Sequence, residues 1–281
     1  MRKLHIMVVT HKETELFENK VYIPIHVGKA LSNKDFGYNG DNTGENISKK
    51  NPYYCELTAQ YWGWKNIKSE YIGLCHYRRY FNKEFSEENI EKEINGYDML
   101  VASKTYWHTS IFKNHSRDLV QEDILIFYLY MLQRFPKQSK QIEHFFIRNN
   151  KFYPCNMFIC KKELFDQISE WEFSILSDLE KIIRFSNYTH QKRVLGYIAE
   201  TLLSYYIFIN KLKVKEYPIV EMIGYKKTNE QSIKEKIIAI LNFNIQKLRA
   251  KFEIPPAVYV GLESDGIFSD IKKVCTSSKD V

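Results

Sequence analysis

The 281-residue chain contains no Gly-x-Gly-x-x-Gly, no Walker-type phosphate loop and no Gly-x-Ser-x-Gly. Those absences argue against dinucleotide oxidoreductases, P-loop enzymes and serine hydrolases. None of its five cysteines forms a C-x-x-C pair, and their number is odd. Reduced, mostly buried thiols and a cytosolic compartment are therefore expected. The spacing of His108, His115 and Asp118 fits no zinc motif, and Cys155 and Cys160 are not spaced as zinc ligands, so no metal is expected there. Long Lys/Arg runs are missing too, which weakens a nucleic-acid reading. The longest apolar run, Ile124 to Leu132, is far short of a membrane span. The first ten residues lack the apolar core and small-residue site of a signal peptide. No repeat or low-complexity segment occurs.

What is present reads as globular. The chain is 44% hydrophobic and 27% charged, long enough for one large α/β domain or for a domain with an appendage. Its net charge of +7 favours polyanions, anionic lipid surfaces or phosphorylated substrates without choosing among them. Twenty tyrosines and 18 phenylalanines leave two readings open, core filling or the lining of a site for polar rings.

Periodicity predicts a buried first strand over 4–10, a long polar loop over 33–52 and a helix over 53–66. A strand over 71–75, a short helix near 86–95 and a strand over 97–102 follow. Residues 118–135 read as an apolar helix, with Pro136 opening another. Then come a strand over 157–160, helical stripes over 164–182 and 195–209, and a strand over 214–220 that Pro218 assigns to an edge. Strands alternating with helices predict a mostly parallel sheet with helices on both faces, spanning 1–221. Residues 222–281 read as a helical extension. Its amphipathic, basic helix over 233–252 either packs on the domain or a second subunit, or lies on a membrane surface.

In such sheets ligands bind beyond the carboxyl ends of strands. Tyr71–Cys75 runs straight into His76-Tyr77-Arg78-Arg79. Adjacent arginines there suit a phosphate clamp, since guanidinium presents a planar fork of donors, and His76 adds a donor that can be charged near neutral pH. A solvated strand end with structural ion pairs remains the other reading. Arg193, Gly196 and Glu200 share one helical face, where Glu200 is either a general base or a solvated carboxylate. The loop Asp41 to Asn46 is rich in oxygen ligands but misses the calcium-loop spacing.

Several segments resemble the bacterial domain catalogued as "of unknown function 4422", recognised as a galactofuranosyltransferase family of capsule, exopolysaccharide and O-antigen synthesis. The resemblance is carried by Asn51-Pro-Tyr-Tyr-Cys-Glu-Leu-Thr58, Tyr61-Trp-Gly-Trp-Lys-Asn66 and Tyr71-Ile-Gly-Leu-Cys-His-Tyr-Arg-Arg-Tyr80. Thr10-His11-Lys12, residues 22–28, Asp41 to Ser48, Asn156-Met-Phe-Ile159 and Gly196-Tyr-Ile-Ala-Glu200 add to it, so that it covers about residues 3–220. It implies a fold similar to the GT-A nucleotide-sugar transferases, with His76-Tyr77-Arg78-Arg79 where those enzymes carry a metal-binding Asp-x-Asp. Fixed cations would then replace the metal, and no cofactor is expected beyond a UDP-sugar donor.

The resemblance further implies that Thr10, His11, Lys12, His76, Arg78, Arg79 and Arg193 hold the nucleotide diphosphate and that Glu200 is the base of an inverting transfer. Asp41, Asn46 and Asn156, with His115, are expected to meet substrate. Thr201 stands where the family commonly has Arg, which would alter donor or acceptor if that Arg holds substrate. The expected acceptor is a surface glycan, carried on a lipid at the cytoplasmic face of the inner membrane. A UDP-pyranose donor, or a non-catalytic polyanion-binding role, are the alternatives; homo-oligomerisation stays open.

Overall fold

Side chains along the strands alternate between two cores, as a sheet covered on both faces requires. In a computed structural model, residues 2–17, 19–222, 227–228, 230–249 and 256–277 are described. The strands and helices follow in chain order: β1 Arg2–Thr10, β2 Tyr22–His26, β3 Asn39–Gly40, α1 Asn51–Tyr54, α2 Leu57–Asn66, β4 Ser69–His76, β5 Arg79–Phe81, α3 Ile90–Ile94, β6 Met99–Ala102 and β7 Thr105–Tyr106. After these come α4 Ile111–Asp118, α5 Gln121–Arg134, α6 Ser139–Ile147, β8 Lys151–Phe152, β9 Phe158–Lys161, α7 Lys162–Ile182, α8 Thr189–Lys192 and α9 Val194–Ile209. The last are β10 Val214–Tyr217, β11 Ile219–Glu221, β12 Lys227–Thr228, α10 Ile233–Arg249, α11 Pro256–Ser264 and α12 Ile267–Ser277.

The chain divides into two units. The first comprises 1–104, 153–173 and 195–230, and the second 105–152, 174–194 and 231–281. An expected single cut at 221/222 compares with a last crossing at 230/231; α10 to α12 share the second unit with α4, α5 and α6.

In the first unit the strands run β10-β6-β9-β4-β1-β2-β3. Every neighbouring pair on that path is parallel except the two made by β9, which opposes both β4 and β6. The sheet is thus mostly parallel, as expected. Met7, Val9, Ile72, Leu74, Met99, Val101, Phe158 and Cys160 line one face, under Ala59 of α2, Phe165 and Ile168 of α7, and Leu203 and Ile207 of α9. Leu4, Ile6, Val8, Tyr71, Cys75, Leu100 and Ile159 line the other, under Ile90 and Ile94 of α3 and the β5 and β11 residues Phe81 and Ile219. Gly73 permits the close β4–β9 approach: a Cβ there would lie 2.6 Å from Ile159 Cγ1 and 2.9 Å from the Phe158 carbonyl.

The expected helix over 53–66 is broken at Cys55, which adopts φ 52° and ψ −127°. Asn51 holds the break, donating from Nδ2 to the Cys55 carbonyl (2.7 Å) and to Thr58 Oγ1 (3.2 Å). The helix expected from 118 starts at 121, behind a separate α4 that Ser110 caps by accepting from the Lys113 N–H. The expected strand over 214–220 is two strands, separated at Pro218, with β10 at the sheet edge.

In the second unit, α12 buries Ile267, Ile271 and Cys275, a stripe at every fourth residue, and packs against α5. Tyr130 of α5 donates its hydroxyl to Asp178 Oδ2 at 2.9 Å.

Candidate active site

Register brings three polar residues to one level at the carboxyl edge of the parallel strands. Thr10 pairs with His26, and the preceding Val9 with His76. Thr10 is fully buried; its Oγ1 donates to the Lys12 carbonyl (2.6 Å) and accepts from the Lys12 N–H (3.3 Å), so it shapes the turn after β1. Tyr77 gathers the neighbouring loop. Its N–H donates to the Val9 carbonyl (3.0 Å), the His11 ring meets its ring edge-on at 5.6 Å, and Lys12 Nζ lies 5.3 Å from the ring centroid. Thr10, His11 and Lys12 therefore stand beside the His76–Arg79 segment.

Because β9 runs against β4, the residues that enter β9 lie beside the end of β4. Leu74 pairs with Phe158, which sets Cys155 and Asn156 next to His76. Both residues are left-handed, with φ of 72° and 48°, an arrangement costly for side chains other than glycine. That backbone puts one residue to two uses. The Cys155 carbonyl accepts from His76 Nε2 at 2.7 Å, and the Cys155 N–H donates to Glu200 Oε2 at 2.8 Å. Asn156, also buried, donates from Nδ2 to Glu56 Oε1 (2.9 Å) and to the Gly196 carbonyl (3.5 Å). Gly196 lets α9 approach the α1–α2 break, since a Cβ there would stand 3.2 Å from Cys55 Sγ.

The electrostatics describe the same cluster. Burial holds His76 below its ordinary value; the Glu56 carboxylate and the Cys155 carbonyl oppose this, and Arg79 and Arg78 reinforce it. Burial thus favours the neutral form of His76, which can still donate through Nε2 to the Cys155 carbonyl. Burial likewise pushes the Cys155 thiol up to about 12, and it feels the charges of Glu200, Arg79, Glu56 and Arg78. Arg78 is exposed and forms no ion pair among the described residues. Arg79 Nε lies 3.5 Å from Glu221 Oε1 of the neighbouring strand, yet this buried N–H has no hydrogen-bond partner among the described residues. Two cations and two carboxylates thus lie within electrostatic range of one left-handed residue. The first pair suits an anionic leaving group, the second a proton transfer.

Asp41, Asn46 and Thr201 are held by bonds of their own. Asp41 is fully buried; its carboxylate accepts from the Gly28 N–H (2.9 Å), the Lys29 N–H (3.1 Å) and the Ser48 hydroxyl. Those bonds hold the 33–52 loop to the end of β2, where Gly28 has φ 67°. Asn46 makes local turn bonds, donating to the Gly44 carbonyl (2.9 Å) and accepting from the Ser48 N–H (3.2 Å). Arg193 belongs to the second unit, at the end of α8 and just before α9 begins. His115 belongs there too: it is buried on α4, edge-on to Trp107 at 5.1 Å, and burial lowers it to about 4. Thr201 is buried on α9 and donates to the Tyr197 carbonyl at 3.3 Å. Glu56 was not among the expected residues. Its signal lay in the shared Cys-Glu-Leu-Thr segment, but only the break at Cys55 reveals its direction. Among the described residues, no group of three or more His, Cys, Asp or Glu side chains is placed to hold a metal ion.

Residues 5–211 match the family described as "Domain of unknown function (DUF4422)". The chain is also similar to a solved structure titled "WbbM bifunctional glycosytransferase apo structure", at 33% identity and a TM-score of 0.73. That likeness covers 79% of this chain and 46% of the other, so the chain spans about half of that protein's length. No curated protein matches.

Proposed function

The chain belongs to the DUF4422 family, and from that premise we propose that it is an inverting glycosyltransferase moving galactofuranose from UDP-galactofuranose to a hydroxyl of a bacterial surface glycan. The observation that carries this reading is the Cys155 peptide, whose N–H orients Glu200 and whose carbonyl fixes His76, one residue before Tyr77-Arg78-Arg79. The likeness to a bifunctional glycosyltransferase supports it.

On this reading the donor diphosphate lies at the carboxyl edge of the sheet against Arg78 and Arg79. Glu200 takes the proton from the acceptor hydroxyl as that oxygen bonds to the anomeric carbon from the face opposite the diphosphate. The bond from that carbon to the diphosphate oxygen breaks, and UDP leaves with the electron pair. Arginines already in place stabilise the negative charge growing on the leaving group without reorganising during the step. His76 contributes a fixed dipole, and Glu56, bonded to Asn156, keeps a second negative charge near the cations. Transfer would then need no divalent ion and would take place in the cytoplasm, where UDP-sugars and the free thiols both fit.

The test is mass spectrometry of products from synthetic glycan acceptors, using UDP-galactofuranose beside a panel of UDP-pyranoses. Galactofuranosyl product that persists in EDTA is expected. Product from a pyranose donor alone would overturn the donor assignment, and loss of product on adding EDTA would overturn the metal-free step.

A further inference from the structure

In the second unit, α10 turns an apolar face outward. Its inner face is fixed: Ala239 and Phe243 are buried, and Asn242 Nδ2 lies 2.9 Å from His108 Nδ1. Gln231, just before the helix, exchanges two bonds with the Tyr106 backbone, at 2.7 and 2.9 Å. Ser232 and Glu235 form a reciprocal cap, the Ser232 N–H donating to Glu235 Oε2 (2.7 Å) and the Glu235 N–H to Ser232 Oγ (3.2 Å). These contacts fix the helix within the second unit. Yet Ile233 is 77% exposed, Leu248 89%, Leu241 56% and Ile237 52%, with Ile240 and Ile245 also exposed.

Successive residues turn by about 100°, which sets these side chains on one continuous arc of roughly 140°. A two-helix seam uses a narrower stripe, and Asn244 and Lys234 fall inside this arc, so its width suits a planar apolar medium better than a second copy of the helix. Charge is arranged to match. Lys234 lies within the arc at its amino end and Lys247 borders it, while Glu235, the helix's one carboxylate, falls on the far side. Among the described residues, no helix is long and apolar enough to cross a membrane. We propose that α10 is a docking surface for an anionic lipid bilayer, lying in the headgroup plane with its aliphatic arc inserted and its lysines against lipid phosphates. This inference does not rest on the donor sugar or on the transfer reaction.

The experiment is co-sedimentation of the full chain with vesicles of phosphatidylglycerol and phosphatidylcholine, or of phosphatidylcholine alone, at low and high salt. Binding to the anionic vesicles that weakens with salt is expected. The double variant Ile237→Glu/Leu241→Glu should lower the partition coefficient at least about tenfold, and Lys234→Glu/Lys247→Glu should remove the preference for anionic lipid. Both pairs are exposed, so circular dichroism and thermal unfolding should match the parent. No binding to anionic vesicles, or binding unchanged in the Ile237/Leu241 variant, would overturn the proposal. So would a dimer in analytical ultracentrifugation that this variant dissociates while vesicle binding persists, because the face would then belong to a second copy.

Discussion

The Cys155 N–H donates to Glu200 Oε2, and on the proposed mechanism that carboxylate takes the acceptor's proton. Glu200→Gln keeps the acceptor oxygen for the Cys155 N–H but cannot accept a proton. Product formation should therefore fall by about 10²–10⁴-fold, the usual weight of a general base, while the thermal shift induced by UDP is unchanged. Retained activity would remove Glu200 from the mechanism. Arg78 offers the complementary case. It is exposed, so Arg78→Ala should leave thermal unfolding unaltered while weakening UDP binding by calorimetry about tenfold to a hundredfold, the scale of a lost charge-assisted bond. At this scale the sequence was readable where chemistry and position coincide. Two arginines directly after an apolar run leave little doubt about which edge they occupy. Asp41 and Glu56 were not readable in the same way, because an acidic side chain in a loop carries no mark of whether its oxygens face inward. Asp41 is consumed by the backbone of residues 28 and 29, whereas Glu56 is swung toward Asn156 by a break that its neighbours do not announce.

Among the elements, the segment entering β9 concentrates the strain of the site. Cys155 at φ 72° is tolerable for glycine and poor for a β-branched residue. Cys155→Val should cost about 1–3 kcal/mol in urea unfolding relative to Cys155→Gly, and should lower activity because the Glu200 and His76 bonds both depend on that backbone. Equal stability of the two variants would show that the left-handed geometry is not enforced. The same element explains a limit of sequence reading. Residues 157–160 are apolar throughout, and a short run buried on both faces has no directional signal, so its antiparallel setting came only with the fold. Strand β2 is hidden for another reason, since Pro24 reads as a breaker. The His26 carbonyl faces the β3 side and Val21 faces β1, so the alternation turns Pro24 toward β3, which begins pairing only at Ile25. The missing N–H therefore breaks no ladder bond. The long stripes of α7 and α9, by contrast, were plain from their period, because four or five repeats outweigh any single residue.

For the whole molecule, the two units each carry a buried base and a buried acid, and their titrations shape stability in opposite directions. In the first unit His5 is lowered to about 4, mainly by burial, and His26 and His76 are also lowered. Burial raises Glu172 to about 8, against the bond it accepts from Gln60 at 2.6 Å. In the second unit burial lowers His115 to about 4 and raises Asp123 to about 7. Unfolded histidines titrate near 6.5, so below that pH the unfolded chain binds more protons than the folded one, and stability falls as pH drops toward 4. Unfolded carboxylates titrate near 4, so above that pH the folded chain keeps protons that the unfolded chain has lost, and stability falls as pH rises toward 8. Between about 4.5 and 6.5 the lowered histidines oppose the two raised acids; above about 6.5 the acids act alone. Urea unfolding across pH should therefore show stability falling from about pH 6.5 to 8, above a limb between about 4.5 and 6.5 where the two sets oppose each other. Each titrating group contributes up to about 1.4 kcal/mol per pH unit to the slopes. Glu172→Gln, which stays neutral at every pH, should flatten the decline from about 6.5 to 8 and, with one opposing acid removed, make stability rise more steeply with pH between about 4.5 and 6.5. His115→Phe, set among Trp107 and Phe152, should make the slope between about 4.5 and 6.5 less positive and leave the decline above about 6.5 unchanged. A decline above pH 6.5 as steep in Glu172→Gln as in the parent would mean that Glu172 is already ionised in the folded protein, with its charge stabilised by the Gln60 amide alone.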